Sequence, residues 1–243
     1  MMPVDSLIVA LDVDGEDKAV TLAEKLKNDV RFFKIGLELF SYCGPGIVGR
    51  IKEMGCDVFL DLKFHDIPAT VAKAARAVTK LEPFFFNVHA LGGLDMMRRS
   101  AKAVGEAAER LKIARPRILG VTILTSLDEK ALGQIGLKMR PKEAVLKLAR
   151  LAMLAGLDGV VASPSETKAI RKELGGDFLI VTPGVRPVWA VANDQKRIAT
   201  PEAAIKDGAD YIVVGRPITE SKNPAEAARE ILKEMNPVKK RGF

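Results

Sequence analysis

Asp61, Lys63 and Asp66 fall close together in one short stretch, DVFLDLKFHDIPAT, residues 57–70. An acid and an amine are held close together there, with a second acid three residues further on. The stretch opens as a strand, where successive side chains alternate. Asp61 and Lys63 therefore point to one face, and Val58, Leu60 and Leu62 to the other. Ile67-Pro68 suits the first turn of a helix, where a missing N–H costs little. A solvated ion pair beside an Asp N-cap would use the same residues. The rest of the chain decides between the two readings.

Polar groups recur at the ends of other apolar runs. Asp12 follows LIVAL (7–11). Lys34 sits in FFKIG (32–36). Asn87 and His89 end FFFNVHA (84–90), and Thr125 and Ser126 follow RILGVTIL (117–124). Burying charges is costly unless they alternate in sign, as Lys34, Asp61, Lys63 and Asp66 can. Two later runs suggest a different chemistry. TPGVRP (182–187) carries Gly184 and Arg186, and VVGRPI (213–218) carries Gly215 and Arg216 at the start of a short helix. Backbone N–H groups at a helix start and a guanidinium fork both suit phosphate. The loop 183–199, with Pro187, Trp189, Asn193, Asp194 and Gln195, is long enough to close over a ligand, and Gln195 can donate to phosphate. The two histidines, His65 and His89, lack metal-ligand spacing and read as structural. No Ser-His-acid set, phosphate-binding P-loop or dinucleotide fingerprint is present.

The positioning elements follow from the same runs. Eight apolar stretches (7–11, 31–36, 57–63, 84–90, 117–124, 157–162, 178–182 and 211–215) are each followed by a helical pattern. The helical patterns cover 15–28, a stretch ending near 54, 67–81, 94–111, 128–135 with 141–155, 165–174, 201–207, and segments reaching 235. The runs are almost continuously apolar, as parallel strands covered on both faces should be. Gly55, Gly156 and Gly208 sit where helices close. Eight such units in 243 residues predict an α/β fold, a closed (β/α)8 TIM barrel forming one domain over 1–243, with 236–243 a flexible basic tail. An open doubly wound sheet is the alternative. In a barrel, chemistry gathers at the carboxyl ends of the strands, and the loops after strands seven and eight commonly hold phosphate.

Composition narrows the partners. Net charge is +7, but the basic residues are dispersed, and Lys239-Lys240-Arg241 reads as a solvated tail. Aromatic content of 5% disfavours base-stacking platforms, so no nucleic-acid partner is expected. Cys43 and Cys56 form no metal or disulfide pattern and fit a reducing compartment. The apolar run 7–11 is too short for a signal or a membrane span. A soluble, cytoplasmic protein with no membrane partner is expected.

From LIVALDV (7–13) to VVGRPI, the chain resembles the orotidine 5'-phosphate decarboxylases of the bacterial type. DLKFHDIPAT (61–70) carries the resemblance most strongly, with FKIGLELF, TPGVRP and DQKR in the same order. The resemblance implies decarboxylation of orotidine 5'-monophosphate to uridine 5'-monophosphate and carbon dioxide, the last step of de novo UMP synthesis, with no metal and no organic cofactor. It implies that Lys63 donates a proton to C6 of the pyrimidine and that Asp61 lies by the departing carboxylate. Lys34 would hold Asp61 and the ribose, and Asp12 would also contact the ribose. Asp66, Ile67 and Thr70 would reach into a partner's site, making a homodimer with shared active sites. Thr125 and Ser126 would contact the base, and Pro183 would line the substrate site. Arg186, Gln195, Gly215 and Arg216 would hold the phosphate. A magnesium-dependent keto-sugar phosphate decarboxylase shares Asp-x-Lys-x-x-Asp, but places a metal-binding Glu where this chain has Lys34. A non-catalytic phosphate or nucleic-acid binder would not need the alternating charges.

Overall fold

The structure, a computed structural model, describes residues 6–190 and 199–236. Eight parallel strands close into a barrel in chain order: β1 (Leu7–Ala10), β2 (Phe32–Gly36), β3 (Asp57–Phe64), β4 (Phe85–His89), β5 (Arg117–Val121), β6 (Gly159–Val161), β7 (Leu179–Pro183) and β8 (Tyr211–Val214). The helices are α1 (Glu16–Leu26), α2 (Leu37–Cys43), α3 (Gly46–Lys52), α4 (Pro68–Thr79), α5 (Gly93–Leu111), α6 (Glu129–Gln134), α7 (Pro141–Leu154), α8 (Pro164–Leu174), α9 (Pro201–Lys206), α10 (Arg216–Thr219) and α11 (Pro224–Met235). The expected barrel is present, and the open sheet is excluded by the β1–β8 pairing.

Two layers of side chains explain why these runs become strands. Leu7, Val9, Phe33, Ile35, Val58, Leu60, Phe86 and Val88 belong to the core under the helices. Their alternate neighbours Ile8, Phe32, Phe59, Phe85, Leu119, Val181 and Tyr211 plug the barrel interior. The plug's rings meet edge to face, with Phe85 and Tyr211 centroids 5.0 Å apart and Phe59 and Phe85 5.9 Å apart. At the amino ends of the strands, carboxylates replace ladder acceptors. Asp158 accepts from the Ile118 N–H at 2.7 Å, and Asp210 from the Ile180 N–H at 2.7 Å. Arg171 ties Asp210 to the carbonyls of Gly208, Gly175 and Phe178.

Some elements differ in extent from expectation. The helix predicted to run to residue 54 is two, because Gly44 adopts φ +66° and Pro45 follows it. β6 is only Gly159–Val161, because Leu157 closes α7 through its N–H to the Ala152 carbonyl. Gly55, Gly156 and Gly208 take the left-handed backbone expected where helices end. Of the predicted tail, residues 237–243 lie outside the described residues, as do 191–198 of the loop after β7.

Candidate active site

Counting two residues beyond the plug's Phe32, Phe59 and Phe85 gives Lys34, Asp61 and Asn87. Strand alternation therefore lifts these three polar side chains one pleat above the plug, into the barrel mouth. Lys63 arrives differently. The β3–β4 register breaks between Leu60 and Phe64, and Lys63 sits at φ +50°. Its N–H goes to the Asn87 side-chain oxygen at 2.7 Å instead of to a strand. A left-handed lysine costs on the order of 1 kcal/mol or more. The bend delivers Lys63 Nζ to Asp61 Oδ1 at 2.6 Å. The two residues meet as expected, but through a bulge and not by simple alternation.

Asp61 is the hub. Its carboxylate accepts from Lys63 Nζ and, at 2.6 Å, from Asn87 Nδ2, and lies 3.6 Å from Lys34 Nζ. Lys34 Nζ also donates to Asp12 Oδ1 at 2.8 Å. Lys34 is buried, and the Asp61 side chain is only 13% exposed. Burial pushes the Asp61 carboxyl up. The ammonium groups of Lys34 and Lys63, with the hydrogen bonds from Lys63 and Asn87, outweigh it and hold the carboxyl below the usual range. Gly36 leaves room for this arrangement, since a Cβ there would stand 2.8 Å from Lys34 Nζ. Behind it, His65 and His89 stack at 5.3 Å, and His89 Nδ1 accepts from the Leu91 N–H, consistent with a structural part. Burial, then the charges of His65 and Lys63, push His89 down to about 4.

Lys34, Asp61 and Lys63 line one wall of a cavity of about 250 Å³. Phe59, Val121, Ile123, Val161 and Val213 make it apolar, and Thr125, Ser126, Ser163 and Pro183 complete it. A separate hollow of about 240 Å³ is lined by Arg186 and Arg216, with Ala190, Pro217 and Glu220. Gly215 is the N-cap of α10, and a Cβ there would lie 3.6 Å from Ala10. Cations thus gather after β7 and β8, as an anion site requires. Gln195, also expected at the phosphate, lies outside the described residues.

Asp66, Ile67 and Thr70 are not brought into the cavity. All three are exposed, and Asp66 accepts from the Ile67 N–H at 2.6 Å. Within one chain, the second carboxylate of the network is Asp12. Asn87 was visible as a strand-end residue but not as a site residue. Its two-residue offset from Phe85 was the signal. Gly36 and Ser163 carry no such signal, because their importance lies in what they face. The assembly can set an anion in the outer hollow, bury an apolar ring, and hold an ammonium at one point of that ring.

The model of the Orotidine 5'-phosphate decarboxylase / HUMPS family matches residues 5–231. A protein named orotidine 5'-phosphate decarboxylase in Syntrophomonas wolfei is 49% identical over 97% of this chain and 99% of its own length. One of the same name in Syntrophotalea carbinolica is 52% identical over 94% of each chain. Among solved structures, orotidine 5'-phosphate decarboxylase from Lactobacillus acidophilus superposes with a TM-score of 0.84 at 40% identity, covering 96% of this chain and 99% of that one.

Proposed function

The chain belongs to the Orotidine 5'-phosphate decarboxylase / HUMPS family, and we propose that it converts orotidine 5'-monophosphate to uridine 5'-monophosphate and carbon dioxide in pyrimidine biosynthesis, without a metal or organic cofactor. The observation that carries this reading is the Lys63 ammonium, 2.6 Å from Asp61 on the wall of an apolar cavity. Loss of carbon dioxide from C6 leaves a carbanion with no conjugated sink. A fixed ammonium stabilises that charge where it forms, then supplies the proton, and needs no reorganisation to do so. One charge pair at ~4 Å interacts by about 4 kcal/mol at an effective dielectric of ~20. Asp61 keeps Lys63 aimed, and Lys34 compensates Asp61 and offers a donor toward a ribose beside Asp12. Arg186, Gln195, Gly215 and Arg216 hold the phosphate, and Thr125, Ser126 and Pro183 enclose the base. The phosphate grip is remote from the reacting carbon, so its binding energy is available to close the site.

A magnesium-dependent relative would need a carboxylate in place of Lys34. Here an ammonium contacts Asp12 and approaches Asp61, so the place of a metal is filled by a cation of the chain itself. Two further parts of the reading are a homodimer, in which Asp66, Ile67 and Thr70 complete the partner's site, and residence in the cytoplasm, which the free thiols of Cys43 and Cys56 suit. Among the described residues no helix is long and apolar enough to cross a membrane. The test is to treat the protein with EDTA, add orotidine 5'-monophosphate and follow ultraviolet absorbance. Turnover is expected. Its absence rejects the activity, and turnover only with magnesium rejects the cofactor-free mechanism.

A further inference from the structure

The last helix touches both walls of the outer hollow. α11 packs against α10, whose first residue is Arg216. It also reaches the segment that carries Arg186. Glu234, in the last turn of α11, accepts from the Val188 N–H at 3.2 Å through Oε1. Val188 lies two residues beyond Arg186 and opens a single 3-10 turn, Val188–Ala190. That turn closes on itself, with the Ala190 N–H donating to the Pro187 carbonyl at 3.0 Å. On the near side, the Arg186 N–H donates to the Ala199 carbonyl at 3.1 Å. Arg186 is therefore bracketed by two backbone hydrogen bonds, and the far one ends on a side chain of another element. The turn has little packing of its own, since Val188 is 65% and Trp189 47% exposed.

The seat of Glu234 is costly. Its Oε2 is buried and has no hydrogen-bond partner among the described residues. Burial pushes the carboxyl up, the Val188 N–H pulls it back, and the charges of Glu230 on α11 and Glu202 on α9 push it up again. Against these pressures, the hydrogen bond from Val188 is the contact that favours the observed seat.

We propose that Glu234 is a positioning residue, which accepts from Val188 to fix Arg186 at the spacing from Arg216 that a phosphate monoester needs. This deepens the proposed function and rests on it. Two guanidiniums can share the terminal oxygens of one phosphate only if both forks converge on it. Arg216 opens a helix and is placed by it. Arg186 lies beside an exposed turn and needs a hold from outside. α11 supplies one fork's support through α10 and the other's through Glu234, so a single helix sets the distance between them.

The experiment has two steps. Turnover of orotidine 5'-monophosphate by the unaltered protein, and tighter inhibition by uridine 5'-monophosphate than by uridine, are measured first. Failure of either removes the parent reading and this one with it. The ratio of the two inhibition constants then reports the phosphate grip alone, because the two inhibitors differ only there. Glu234→Leu keeps much of the bulk but has no acceptor. It should weaken uridine 5'-monophosphate about fivefold, leave uridine within twofold, and raise KM with kcat within twofold. Glu234→Gln keeps an acceptor oxygen without the charge, and should hold the ratio at its unaltered value. If the ratio stays within twofold in Glu234→Leu, with only the melting temperature lowered, Glu234 is a packing residue and the inference is wrong. It is equally wrong if uridine weakens as much as its monophosphate, or if Glu234→Gln loses the ratio as Glu234→Leu does. Should Glu234→Leu not fold, Val188→Pro removes the donor at an exposed position, and the same ratio decides the matter in either direction.

Discussion

At the scale of single residues, the site is a set of charges held in place by neutral neighbours. Lys63→Ala removes both the charge that opposes the carbanion and the proton source. A loss of at least about 10³-fold in kcat is expected, with nucleotide binding retained in titration calorimetry. Asn87→Ala leaves every charge in place but frees Asp61 and the Lys63 N–H together. A drop of about 10²-fold in kcat with a nearly unchanged KM is expected, because positioning is lost and grip is not. Near-normal kcat would mean that the bulge holds Lys63 without Asn87. His89 adds a pH dependence whose sign follows from its depressed pKa. Between 6.5 and about 4 the unfolded histidine binds a proton that the folded one does not, so stability falls as pH drops through that window. Since the ring is only half-buried, about 1 kcal/mol is the expected share after solvent screening. Urea melts at pH 7 and pH 4.5 should show the loss, and His89→Gln should reduce it. Asp61 works lower: its stabilisation is present above 3.8 and goes only as pH falls through its still lower folded value.

At the scale of elements, the strands were legible because parallel strands under helices leave a plain apolar run, and the glycines closing α3, α7 and α9 mark where each run begins. The convergence of Asp12, Lys34 and Asp61 on one mouth was equally legible, since it needs only the barrel and the parity of the strands. The bulge in β3 was not. Nothing in DLKF announces a left-handed lysine, because that backbone is stabilised by Asn87, 24 residues further on. Nor could the position of Asp66 be read, since its distance from Lys63 depends on how the chain leaves the strand. Close strand packing is similarly silent in sequence. A Cβ on Gly159 in β6 would lie 2.3 Å from the Leu179 carbonyl oxygen in β7. Gly159→Ala must therefore push two paired strands apart, and a loss of about 3 kcal/mol or more in denaturant unfolding is expected. A loss under 1 kcal/mol would mean that the barrel yields there easily. Because β6 leads into Ser163, the displaced strand should also weaken nucleotide binding.

At the scale of the whole molecule, one rim of the barrel leaves large apolar side chains exposed. Leu37 and Tyr42 on α2 are 58% and 68% exposed, and Ile67, just before α4, is 66% exposed. These elements follow β2 and β3, which are neighbours in the barrel, so the apolar groups lie on the same side as Asp66 and Thr70. Large apolar side chains gathered at one edge are what a second subunit would cover. Two-fold symmetry then has a countable consequence. In the proposed dimer each site takes Lys63 from one chain and Asp66 from the other. Lys63→Ala and Asp66→Ala should each be nearly inactive as homodimers. A mixed dimer of the two has one site with both residues intact and one with neither. Random exchange of equal amounts makes half the dimers mixed, so about a quarter of the unaltered activity should return on mixing. Recovery should grow with exchange time and vanish if the variants are assayed before subunits redistribute. Ile67→Glu, which sets a charge into the shared edge, should shift sedimentation toward the monomer and abolish the recovery. If mixing restores nothing although sedimentation reports mixed dimers, each chain completes its own site. Asp66 would then have to reach Lys63 within one subunit, by a rearrangement of residues 64–67.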